Sequence, residues 1–163
     1  MKFTIELLVI LVLIGLQVSL WPQLAPGAIP ALVVVAAIAR GLAGDVAGGL
    51  RTAFVGGLML DLYAHHYFGL FTGATLIAFA TCLVFGGSNP NELRIPGQLG
   101  VMLLAAVVYE LLILLILTVA VDHFPFFASL RYTATLNVLA TMFSFILLAP
   151  LIRRLYRHTH GSF

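Results

Sequence analysis

Charge is what this sequence has least of. Eight Lys and Arg and six Asp and Glu make up only 9% of 163 residues, where a soluble domain carries roughly a quarter. So few charges cannot solvate the surface of a 17.5 kDa globule. The scarcity also excludes a nucleic-acid reader. The net charge of +2 sits in short turns between apolar runs and does not alternate with exposed aromatics. Cysteine is nearly absent too. Cys82 stands alone in an apolar run, which excludes a disulfide framework and a thiolate metal site and suits a small packing hydrophobe. Long polar stretches are missing. The longest connection is the turn-rich segment Gly86–Gly97, GGSNPNELRIPG, which leaves no room for a soluble catalytic module and makes residues 1–163 one domain. Phosphate-binding glycine loops, a GxSxG elbow and HExxH are lacking as well. No catalytic residue, cofactor or metal is therefore assigned, and the chain reads as a non-enzyme.

What is present is apolar sequence in runs of membrane length. Hydrophobic residues make up 62% of the chain, with a mean hydropathy of +1.13. Six segments predict an all-α, polytopic membrane helix bundle: roughly residues 4–21, 23–39, 50–65, 67–86, 98–121 and 133–152. The first is longer than the apolar part of a signal peptide, has Glu6 at its start, and is followed by Pro26 at the cleavage zone. It is read as an uncleaved helix. In the second, the clean stretch Ala28 to Ala39 is too short to cross a hydrocarbon core of ~30 Å alone. Pro22, Pro26 and Pro30 predict an irregular lead-in near the outer surface, which must be buried against protein or lie in the interface.

Charge sets the orientation. With six spans and the N-terminus inside, Lys2, Arg40, Arg51, Arg94, Arg153, Arg154 and Arg157 are cytoplasmic and Arg131 alone is outside. That bias favours both termini in the cytoplasm of a bacterial inner membrane. Five spans, with segment two dropped, give a weaker bias and the same C-terminal side. Arg40, Arg51, Arg153, Arg154 and Arg157 are read as topology anchors beside anionic lipid.

Asp61 is the most informative residue. Gly49, Ala53, Gly57 and Asp61 recur every four residues, with His65 extending the row, so they share one helix stripe beside a second stripe of Gly48, Thr52 and Gly56. Small residues at this spacing admit a second helix closely. Asp61 is expected to face protein, either as a packing acid held by hydrogen bonds, the favoured reading, or as a ligand- or proton-binding acid. Its expected donors are Asn137 or Gln17, at similar depth, and on that basis Asp61→Asn is expected to be nearly neutral. Gln17, Asn137, Asp122 and Arg131 are placed towards the outer face, as a packing network or a binding pocket. Glu110, in the middle of span five, requires a protein partner or a proton. His65 and His66 point about 100° apart on a helix and read, with Tyr63, Tyr67 and Trp21, as an interfacial belt.

Three stretches resemble the MreD family of bacterial rod-shape-determining membrane proteins. Phe54–Ala74, FVGGLMLDLYAHHYFGLFTGA, follows the family pattern of a glycine-rich helix, an aspartate, a glycine and a second small-residue helix, with Arg40-Gly41 ahead of it. Gln17 to Leu32 and Arg131–Arg154, RYTATLNVLATMFSFILLAPLIRR, match as well. The departure is Pro30-Ala31-Leu32, where many relatives carry an acid after the proline. The resemblance implies a non-catalytic scaffold of the cell-elongation complex. It would bind MreC, and through it connect MreB with RodA and its transpeptidase partner during lateral peptidoglycan synthesis. The alternative is the substrate-binding component of an energy-coupling-factor vitamin transporter, whose fold MreD is thought to resemble. Those proteins present an Ala-xxx-Ala surface on span one, and here Phe3 to Trp21 contains no alanine.

Overall fold

The chain's structure, a computed structural model, describes residues 2–20, 30–64, 68–86, 95–120 and 129–160. Among these residues there are six helices and no strand. α1 covers Lys2–Gly15 and continues as a π-turn over Leu16–Leu20. α2 is Leu32–Leu42, α3 is Val46–Ala64, α4 is Leu70–Gly86 and α5 is Ile95–Ala120. α6 opens as a π-turn at Leu130–Ala134 and runs on as Thr135–His160, through Pro150. Ile95–Ala120 and Leu130–Ile152 are long and apolar enough to cross a membrane. α1, α2 and α4 are apolar but shorter, and α3 carries Arg51 and Asp61 in its 19 residues.

Each predicted segment corresponds to one helix, and the second is the most altered. It begins at Leu32 rather than residue 23, and its 11 residues extend only about 16 Å. Residues 21–29 of the expected proline-rich lead-in lie outside the described residues. Three consecutive valines, Val33, Val34 and Val35, are poor helix formers in isolation. Packing decides their conformation: all three are almost wholly buried, as are Ala36 to Ala39 and Leu42. α2 is the hub of the bundle and touches all five other helices. Around it α3 packs on α4, α4 on α5 and α5 on α6, while α1 leans on α2 and α3. The outward faces are apolar, with Leu11, Phe54, Val84, Leu115 and Leu147 among many large exposed side chains.

Turn chemistry links α2 to α3. Gly44 takes φ 92, a left-handed conformation suited to glycine beyond a helix C-terminus. Asp45 then caps α3, its Oδ1 accepting the Gly48 N–H at 2.8 Å. The two small-residue stripes predicted on α3 are both buried. They form a crease into which α2 and α4 fit. The Phe79 ring of α4 is wedged against Gly41 and Gly49, so a Cβ at Gly49 would lie 2.6 Å from that ring and 2.8 Å from the Ala37 carbonyl oxygen. At Gly57 it would lie 2.5 Å from Thr75 Oγ1 and 2.6 Å from the Thr72 Cα. The Thr75 hydroxyl reaches the Ala53 carbonyl across the same contact, at 2.9 Å.

Gly57→Ala is therefore expected to destabilise the bundle by about 1–3 kcal/mol, the usual range for overpacking. Gly73→Ala should be neutral or better, since nothing lies within 4 Å of the added carbon and alanine favours helix. Thermal unfolding of both variants in detergent checks this; equal melting temperatures would contradict the crease.

Candidate functional site: buried polar groups and the cleft between α5 and α6

Helix starts inside an apolar bundle present N–H groups with no helical partner, and the buried polar side chains answer them. Asp61, 2% exposed, lies one turn before the end of α3. Its Oδ1 accepts the Phe71 N–H at 2.7 Å, and its Oδ2 accepts the Thr72 N–H at 3.0 Å and the Thr72 hydroxyl at 2.5 Å. Gly69, with φ 94, occupies the position before α4 where a capping side chain normally stands. Asp61 supplies the missing cap from the preceding helix, and its negative charge also suits the positive end of the α4 dipole.

The expected donors were Asn137 and Gln17, and neither serves Asp61. The returning chain brings the α4 start to within ten residues of the carboxyl, so local backbone outcompetes distant side chains. Gln17 Oε1 instead accepts the Leu32 N–H at 3.0 Å, and Thr141 Oγ1 accepts the Ala31 N–H at 2.9 Å. Together they cap the start of α2 from α1 and α6. Thr141 is eleven residues beyond Leu130, or about 16 Å along α6, so α2 begins deep within the bundle.

At the other end of α2, Arg40 is engaged by side chains of the same chain. Its Nε donates to Asp45 Oδ2 at 2.9 Å and its Nη1 to Thr52 Oγ1 at 3.3 Å, with an ion pair to Asp45 closing the set. The cation also sits in the last turn of α2, where the dipole favours it. Arg51, by contrast, is exposed and reaches back to the Ala47 carbonyl.

Asn137 pairs with Glu110: its Nδ2 donates to Glu110 Oε2 at 3.3 Å. This long bond ties α6 to α5. Glu110 borders a cleft of about 220 Å³ between the two helices, lined otherwise mainly by Val107, Leu111, Ala134, Val138 and Leu139. The predicted outer polar group is thus divided among three separate places, at the starts of α2 and α4 and between α5 and α6. Arg131 stands apart, 5.6 Å over the Tyr132 ring. Trp21, His65, His66, Tyr67, Arg94 and Asp122 lie outside the described residues, as do the side chains of Arg153 and Arg157, whereas Arg154 is exposed. Among the described residues no three His, Cys, Asp or Glu converge.

Sequence reasoning passed over Thr72, Thr75 and Thr141. Thr72 carried a signal, a threonine three residues after Gly69 at a helix start. Thr141 carried none, because its partner is 110 residues away. Compared with family models, curated proteins and solved structures, the chain matches none.

The three donors around Asp61 reverse the expectation for Asp61→Asn. An amide nitrogen in place of Oδ2 opposes the Thr72 N–H, so this variant is expected to lose about 1–3 kcal/mol, the cost of an unmet buried donor. Asp61→Leu should lose more, and Thr141→Val should fall in the Asn range by orphaning the Ala31 N–H. Folded yield and melting temperature in detergent provide the ranking, and a wild-type melting temperature for Asp61→Asn would refute the cap.

Proposed function

We propose that this chain is a non-catalytic, polytopic membrane protein that holds a partner rather than transforming a substrate. The observation that carries the reading is how its buried polar groups are used. Asp61, Gln17, Thr141 and Asp45 each accept from the start of a helix, which is an architectural role. The apolar outward faces support six spans in lipid, because exposed hydrophobic surface of this extent marks contact with a membrane or a partner. The excess of basic residues at one end of the helices supports cytoplasmic termini.

Within that class, the particular reading is a member of the MreD family, a scaffold of the bacterial elongation complex that binds MreC. The stretches Gln17–Leu32, Phe54–Ala74 and Arg131–Arg154 support it. They contain Gln17, Asp61 and Asn137, each of which has an interhelical or inter-element hydrogen bond. The outward face of α1 counts against the transporter alternative: Leu8, Leu11, Val12 and Leu16 are bulky and exposed, unlike a small-residue docking surface.

Two measurements test the proposal. Reporters fused at each end are expected to place both termini in the cytoplasm; a periplasmic C-terminus defeats the topology. An MreC-like protein should co-purify with the chain in detergent, and removing its single transmembrane helix should abolish this, because the chain offers little aqueous surface. Undiminished recovery of the truncated partner would rule out an intramembrane contact.

A further inference from the structure

Of the two buried acids among the described residues, Glu110 is the one with an oxygen left unmet. It is 7% exposed. Oε2 takes the 3.3 Å bond from Asn137, and Oε1 has no hydrogen-bond partner among the described residues. Asp61, in contrast, is met by three donors. A buried carboxyl with an open acceptor is costly in an apolar setting unless something completes it. The group borders the cleft between α5 and α6, and these two helices meet less extensively than α4 and α5.

We propose that this cleft is the docking groove for a transmembrane helix of a different chain, and that Glu110 receives a hydrogen-bond donor, cationic or neutral, carried by that helix. The inference rests on the partner reading above and assigns it a site. Depth selects the occupant. Glu110 is ten residues before Ala120 and fifteen after Ile95, or about 15 Å and 22 Å from the helix ends. That is too deep for a phospholipid headgroup, so a donor must arrive laterally on a helix. Apart from Thr135, whose hydroxyl donates to the Leu130 carbonyl of its own helix, the rest of the cleft wall is apolar, and the exposed side chains Leu111 and Leu139 form its rim. Among the described residues a second copy offers no exposed cation at mid-helix depth. Among the described residues, Arg51, Arg131 and Arg154 all lie near helix ends. The mid-helix hydroxyls of Thr81 and Thr118 donate to their own helices, at Ile77 and Leu114.

Disulfide cross-linking in membranes tests the site. In a Cys82→Ala background, Leu111→Cys and Leu139→Cys would report on the groove, with Leu11→Cys and Phe54→Cys on other exposed faces as controls. Each is co-expressed with the single-helix partner carrying one cysteine at successive positions of its transmembrane helix. Cross-links are expected at Leu111→Cys and Leu139→Cys and not at the controls. Glu110→Leu should reduce co-purification about tenfold. Leu139→Trp, which leaves Glu110 in place and fills the groove from its rim, should do the same if Glu110→Leu fails to fold. A partner that co-purifies but cross-links only through Leu11→Cys or Phe54→Cys overturns the groove while leaving the partner reading intact. A Leu139→Cys homodimer in its place overturns the choice of a different chain. Failure of the partner to co-purify at all removes both the reading and the groove's occupant.

Discussion

Where α2 starts, Ala31 and Leu32 are buried and their N–H groups have no helical carbonyl to bond. An amide left unmatched there costs on the order of a few kcal/mol; the Pro30 carbonyl meets the Leu32 N–H locally, and the remaining acceptors come from other helices. Gln17 on α1 and Thr141 on α6 provide them. This requirement fixes much else. α1 and α6 must both reach the same end of α2, which places the short helix at the centre and the longer ones around it. The same solution recurs at α4, where Asp61 on α3 stands in for the side chain that Gly69 lacks, and at α3, where Asp45 serves.

Close packing makes these bonds geometrically reachable. Gly49, Gly56 and Gly57 leave no room for even one methyl group against Phe79, Val33 and Thr75. That approach carries the Thr75 hydroxyl to the Ala53 carbonyl and holds the Asp61 carboxyl over the first turn of α4. Polar satisfaction and small-residue packing are therefore coupled, and larger residues in the crease would disturb the caps as well as the contact.

The proposed function draws on what is left over. Once acceptors are matched to helix starts, Glu110 is the acid among the described residues with an oxygen to spare, at a seam between helices that meet less tightly. A laterally open seam with a buried acid is what the proposed recognition of another helix would use. This agrees with the scaffold role proposed from the family resemblance.

The number of helices, their apolar character and the burial of the Gly49–Ala53–Gly57–Asp61 stripe were all legible in the sequence, because hydropathy and four-residue spacing are local properties of the chain. So was the demand of Glu110 for a partner, since an acid in an apolar run states its own cost. The pairing of donors with acceptors was not. Asp61 was assigned to Gln17 or Asn137 from apparent depth, yet its partners are backbone amides, which every residue carries and no motif announces. The second segment's short clean stretch was legible, but not that its helix is enclosed by the others, for a run of Val and Ala looks the same at the centre of a bundle as at its edge. Which helix start meets which side chain depends on crossings between segments as far apart as Ala31 and Thr141. Only the tertiary structure sets those crossings.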